Sequence, residues 1–380
     1  MRHIRIAFDG KRAAQNRTGL GNYSRFVLNA LASRSDVEQL DLYVPHPSRT
    51  DLLGALASSA KVSLCGPTSF GWQRFSSLWR VFALSSQLES DGVSLFHGLS
   101  NELPLGIEKT SVRSVVTIHD LIFRRYPEYY GFVDRQIYDY KFRRACQSAD
   151  RIIAVSECTK RDIVSFYGTD PNKIDVVYQG CDPLFASEVS DSTMQEVRSK
   201  YDLPDNYILF VGSIERRKNL MLAAKALRSL PSDVHLVAVG RRTSYTAEVE
   251  AFAQSNGLSC RLHVLTGVPL QDLPSLYHMA RVFVYPSRFE GFGIPILEAL
   301  TSGTPVVACT GSCLEEAGGP SSLYVSPDDH ESLARCISDI LGSDSLRQKM
   351  IADGRAYAAN FSPEKLTDDL LSVYDRVVAL

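Results

Sequence analysis

The chain has 380 residues, more than one hydrophobic core organises, so at about 150 residues per domain it should hold two domains. Hydrophobic residues at 44% and charged residues at 22% are the proportions of a chain that folds throughout, which excludes a disordered or coiled-coil protein. Lys and Arg number 41 against 43 Asp and Glu, a formal net charge of -2, so no global field draws nucleic acid and any basic surface has to be local.

Ile4 to Phe8 reads as a first strand, followed by a Gly-containing loop and a helical pattern through Phe26, Ala30 and Leu31. Further strands are expected at Leu40 to Val44, Val62 to Cys65, Val93 to Phe96, Val112 to Ile118, Ile152 to Val155 and Ile174 to Tyr178, most of them separated by helix-length segments. That alternation is the signature of βαβ units and a parallel sheet. Between Asp182 and Asp205 the rhythm lapses into Pro183, the polar run Ser187 to Ser192, and Pro204, which predicts a domain boundary. It resumes at Tyr207 to Val211, Val234 to Val239, Leu262 to Leu265, Val282 to Tyr285, Val306 to Ala308 and Leu323 to Val325. Ser362 and Pro363 then open a final helix whose Leu366, Leu370, Val373 and Val377 share one face that must bury.

The expectation is an α/β chain of two Rossmann-like, doubly wound domains, residues 1–185 and 200–362, with the helix 363–380 packing back on the first. Ligands of such sheets bind in the cleft at the carboxyl ends of the strands, so chemistry is sought in the loops there. No apolar run reaches the roughly 18 residues of a membrane span, and the opening apolar stretch breaks at Asp9, so a cytoplasmic chain is expected. The eight cysteines form no C-x-x-C pair and sit mostly in apolar contexts, as reduced core thiols do.

The most informative segment runs from Pro286 to Leu300, directly after a predicted strand. Gly291 and Gly293 let backbone approach a ligand and Pro295 suits a first helical turn, so free amides and a positive dipole end should form an anion site. Glu290 and Glu298 straddle it. A carboxylate repels phosphate, so these two should recognise neutral donors such as sugar hydroxyls. At the end of the first strand of the second domain, Arg216, Arg217 and Lys218 place three consecutive cations suited to a diphosphate, with Asn219 expected to cap the next helix. In the first domain, His119 and Asp120 end a strand, where they can orient or polarise a reacting group. Gly19 and Gly21 lie in the first strand-to-helix loop, but Ser24 occupies the final Gly place of the dinucleotide fingerprint. No Asp is followed two positions later by another, and the His residues form no cluster with ligand spacing, so no metal chelate is expected.

Together these residues resemble the retaining glycosyltransferases of family 4, of the two-domain GT-B fold, and mannosyltransferases in particular. The likeness runs through the Gly19-Leu20-Gly21 loop, Thr117 to Leu121 with Tyr126-Pro127-Glu128 after it, the Glu215 to Asn219 turn and the Glu290 to Glu298 motif. It implies that Lys218 and Arg217 bind the donor diphosphate. It also implies that Glu290 and the amides of Gly291, Phe292 and Gly293 hold donor sugar and phosphate, Glu298 the ribose, and His119 the transferred sugar. Gly19 and Gly21 would approach the phosphates, Asp120 and Tyr126 would stand on the acceptor side, and His119, Glu290 and Lys218 would be catalytic. Many relatives place Arg after the glycine that corresponds to Gly212; here Ser213 stands there, so the diphosphate is shared differently among Arg216, Arg217 and Lys218.

The implied reaction is retaining, metal-independent hexose transfer in polysaccharide or lipopolysaccharide biosynthesis, with no cofactor beyond a nucleotide-sugar substrate. The Glu215 to Asn219 subgroup leans to GDP-mannose as donor, UDP-hexoses being the alternative, and the acceptor is a glycan or polyprenyl-linked glycan. From Ile122 to Arg144 the chain packs eight aromatics among six cations, and Trp72 and Trp79 stand in a second such stretch, a mixture suited to an anionic membrane surface. A sugar-nucleotide epimerase of the same architecture would release free epimer without an acceptor. A non-catalytic sugar-binding protein would bind nucleotide without turnover.

Overall fold

The computed structural model describes residues 5–379. They form two units: one runs to Gln179 and takes up the chain again from Pro363, the other is Gly180–Ser362. The division falls earlier than the expected 185, because the irregular segment belongs to the second unit. There Phe185 is buried edge-on against Tyr277, with ring centroids 5.6 Å apart.

The first unit holds a sheet of β1 (Arg5–Asp9), β2 (Gln39–Tyr43), β3 (Val62–Cys65), β4 (Leu95–Gly98), β5 (Arg113–Ile118), β6 (Arg151–Ala154) and β7 (Ile174–Val176). Their order is β3-β2-β1-β4-β5-β6-β7 and every pairing is parallel. Ile4, the expected first residue of β1, lies outside the described residues. The strands read as nearly continuous apolar runs because helices cover both faces. One face packs Ile6, Phe8, Leu40 and Leu95 against Val27, Leu28 and Leu31 of the helix Gly19–Ala32. The same core takes in Leu366, Leu370, Val373 and Val377 of the last helix, Pro363–Val378, each of them buried.

The second unit repeats the plan with β8 (Tyr207–Val211), β9 (His235–Val239), β10 (Leu262–Leu265), β11 (Val282–Tyr285), β12 (Val306–Cys309) and β13 (Leu323–Val325), all parallel in the order β10-β9-β8-β11-β12-β13. In each sheet the winding reverses beside the first strand, between β1 and β4 and between β8 and β11. Such reversals open a crevice at the carboxyl ends of the strands, where doubly wound sheets bind ligands. All eight cysteines are free thiols.

Candidate functional site

The second unit's reversal point collects most of the residues singled out above. The turn after β8 and the loop after β11 leave neighbouring strands from the same edge, which brings Arg217 and Lys218 onto Glu290. Oε1 of Glu290 lies 2.8 Å from an Arg217 guanidinium nitrogen and 2.7 Å from Lys218 Nζ, and accepts the Ser287 hydroxyl at 2.5 Å. Arg217 also donates to the Phe289 carbonyl at 2.6 Å and to Glu215 at 2.8 Å, and Lys218 donates to the Tyr285 hydroxyl at 2.5 Å. Burial alone would push the Glu290 carboxyl up, but Arg217 and Lys218 outweigh it and hold the group at about 2. Glu290 is therefore ionised at any physiological pH and has no proton to give.

The neighbouring Arg216 turns the other way. It is exposed, pairs with Glu248 at 2.7 Å and stacks over Tyr245. Of the three cations only Arg217 and Lys218 join the cluster. Asn219 corrects another expectation. Its side chain makes no helix cap but donates to the carbonyls of Pro286 and Pro327, at 3.2 and 2.8 Å, from a left-handed backbone at φ 57°. It ties the cationic turn to the loop that carries Glu290.

That loop ends at Gly293, whose φ of 123° is closed to most side chains, and leads into the helix Ile294–Thr301 with Pro295 in its first turn. The Cys313 thiol lies 3.0 and 2.9 Å from the carbonyl oxygens of Glu290 and Phe292, holding the backbone on either side of Gly291. The Phe292 side chain is buried against Phe361, which leaves the backbone amide, the group expected at the donor, as what this residue can offer. Glu298 accepts the Tyr277 hydroxyl at 2.8 Å, and burial, partly offset by that bond, lifts its carboxyl to about 7. Ser287, Tyr285, Tyr277 and Cys313 were missed in the sequence; only the closeness of Tyr285 and Ser287 to the Glu290 motif offered a signal.

In the first unit His119 directly follows β5 and is buried. Its Nε2 is 2.9 Å from the Leu99 carbonyl, which can only accept, so Nε2 carries the proton and Nδ1 accepts the Gln179 amide at 3.0 Å. Burial, against the bond to Leu99, lowers its basicity to about 4. Both ring nitrogens are thus engaged within the protein and the ring is neutral, which corrects the expectation of a polarising His-Asp pair. Asp120 instead accepts the Ile122 amide at 3.1 Å and starts a short helix, Ile122–Arg125, with the half-buried Tyr126 at its end. Gly21 is a packing requirement, since a Cβ there would sit 1.9 Å from the Asn16 carbonyl oxygen. A Cβ on Gly19 meets nothing within 4 Å, so this residue offers open backbone at the helix start.

The aromatic and basic stretches differ from their sequence reading in charge. Phe70, Phe75 and Phe82 are 83, 56 and 57% exposed, and Phe132, Val133 and Tyr140 on the helix Phe132–Ser148 are 68, 67 and 63% exposed. Most of the cations, however, are neutralised locally: Arg80 and Lys141 on Glu102, Arg124 and Arg143 on Asp139, Arg125 on Asp162, Arg144 on Glu108. The face is apolar more than basic. Among the described residues no helix is long and apolar enough to cross a membrane.

Comparison with known proteins follows the same division of the chain. A family described as Glycosyltransferase Family 4 matches residues 19–184, and one described as Glycosyl transferases group 1 matches residues 193–357. The O-antigen chain mannosyltransferase B of Escherichia coli is 29% identical over 370 residues, covering 94% of this chain and 96% of that one. The O-antigen chain mannosyltransferase RfbU of Salmonella typhimurium is 26% identical over 341 residues, 87% of this chain and 89% of that one. Among solved structures, HepE from Anabaena in complex with UDP superposes with a TM-score of 0.77 at 16% identity, over 99% of this chain and 100% of that one.

Proposed function

We propose, for a chain that belongs to the family 4 and group 1 glycosyltransferases of GT-B fold, that it moves mannose from GDP-mannose to a glycan or polyprenyl-linked glycan. The observation that carries this reading is the cluster of half-buried Arg217 and Lys218 on buried Glu290 at the reversal point of the second sheet. Two cations held in place before any ligand arrives are suited to a diphosphate, and Glu290 serves as their counter-ion until then.

Breaking the bond between sugar and diphosphate builds negative charge on the leaving phosphate and positive charge on the ring. Arg217, Lys218 and the amides of Gly291 to Gly293 stabilise the phosphate, each such donor being worth about 10² to 10³ in rate. With Oε1 committed to three donors, Glu290 is a poor nucleophile, and its role in this reading is to hold sugar hydroxyls through Oε2. Glu298 takes the ribose. His119, neutral and anchored at both nitrogens, lies beside the transferred sugar as a fixed wall. The acceptor hydroxyl attacks the face from which the diphosphate leaves and passes its proton to the departing phosphate oxygen, so configuration is retained with no metal or cofactor.

The first unit carries the acceptor, and its exposed aromatic face rests at the cytoplasmic surface of an anionic membrane, chiefly by apolar contact. Vesicles of anionic lipid should co-sediment the protein with only weak salt dependence; no binding at all refutes this part. Donor identity is tested by thermal shift: GDP-mannose at a hundred times its Kd should stabilise by about 2.7 kcal/mol, more than UDP-sugars at equal concentration, and Lys218→Ala should abolish the effect. No stabilisation by any nucleoside diphosphate would refute the assignment.

A further inference from the structure

The first unit contains a buried polar chain that the reaction scheme does not use. The hydroxyl of Tyr374, on the last helix, is 2.7 Å from His97 Nδ1. His97 Nε2 is 2.8 Å from Thr117 Oγ1, and Thr117 Oγ1 is 3.3 Å from the Tyr23 hydroxyl. The Tyr23 ring then meets His119 edge-on, at 4.6 Å between centroids and 87° between planes. Tyr374, His97 and Thr117 are wholly inaccessible and Tyr23 is 2% exposed. The surroundings are hydrocarbon: Phe8, Val27, Leu95, Val115, Leu370 and Val373 belong to the same core.

Phenylalanine or leucine would pack there equally well and would not have to be desolvated with partners in place. What the hydroxyls add is direction. Burial holds His97 far below its ordinary basicity, at about 3, so its ring is neutral, with one nitrogen donating and the other accepting. Tyr374 donating to Nδ1 leaves Nε2–H for Thr117; the opposite sense reverses every bond. In both, one missing hydroxyl leaves a buried polar group unpartnered, so the chain holds its members in one arrangement or fails.

Tyr23 sits on the helix that begins at Gly19, and Thr117 lies two residues before His119 on β5. The Thr117 carbonyl accepts the amide of Asn101 at 2.9 Å, and the Asn101 side chain in turn accepts the His119 amide at 2.7 Å. Gln179, which bonds the His119 ring, is the last residue before the chain leaves this unit, and Tyr374 lies on the helix by which it returns.

We infer that Tyr374 is a positioning residue for His119, acting through His97, Thr117 and Tyr23 to set the plane of the imidazole. The inference rests on the reading above in giving His119 a place beside the transferred sugar. Its test does not depend on transfer alone. Full-length protein labelled with 15N-histidine reports tautomer and environment of each imidazole through long-range proton–nitrogen correlations. Tyr374→Phe and Tyr23→Phe, which keep the rings and remove one hydroxyl, should each shift the His119 ring resonances. They should lower kcat for GDP-mannose by about tenfold with KM within about twofold. Thr117→Ser, which keeps the hydroxyl, should leave spectra and rates as in the wild type, and Thr117→Val should not. Folded Tyr374→Phe and Tyr23→Phe with unchanged His119 resonances overturn the coupling. If the resonances shift while His119→Ala transfers mannose normally, the coupling stands and the role given to His119 falls.

Discussion

Glu290→Gln separates the two tasks given to this carboxylate. In the folded chain the group is held at about 2 against an ordinary 4.5, a difference on the order of 3 kcal/mol in favour of the charged form. That figure is what remains of the attraction to Arg217, Lys218 and the Ser287 hydroxyl once burial is set against it, and a diphosphate must compete for those two cations. Glutamine keeps the shape, so Ser287 and Lys218 still find an acceptor, while Arg217 retains Glu215 at 2.8 Å. With about half of the 3 kcal/mol recovered by an incoming anion, GDP should bind about tenfold tighter to the variant. Turnover of GDP-mannose should fall by about 10² because the sugar loses a charged acceptor. The sign for stability follows from linkage: a depressed carboxyl stabilises the fold above about 4.5 and loses that contribution as pH falls toward 2, so the gap in Tm between wild type and variant should narrow over that range. Isothermal titration with GDP, with initial rates in parallel, measures both effects. GDP binding weakened tenfold together with turnover would refute the counter-ion role.

Lys218→Ala should cost about 10² to 10³ in rate, whereas Arg216→Ala, which removes an exposed pair with Glu248 and a stack on Tyr245 outside the cluster, should stay within about twofold and change Tm little. Gly21→Ala should cost about 3 kcal/mol or more in urea unfolding, since its methyl would overlap the Asn16 carbonyl; Gly19→Ala, with open space around it, should fold normally. Leu370→Ala should cost about 2 to 5 kcal/mol by leaving a cavity under the last helix, measurable by urea unfolding.

Periodicity and motif spacing located the strands, the division into two α/β units and the apolar face of the last helix, because a parallel sheet covered on both sides demands apolar runs whatever lies around it. The Glu290 to Glu298 segment and the cationic turn were legible for a related reason: glycine, proline and charge at a strand's end have few structural uses. What local sequence does not contain is which way a side chain turns once a second element arrives. Charge alone does not separate Arg216, Arg217 and Lys218; the family resemblance favoured the latter two, and the loop after β11 sets a carboxylate against those same two. His119 looked like half of a reactive pair until Leu99 and Gln179, 20 and 60 residues away, closed on both its nitrogens. Backbone conformation and burial are set by neighbours in the chain, but the protonation, pairing and direction of a polar group are set by partners that only folding brings within 3 Å, and there the chemistry of this protein is decided.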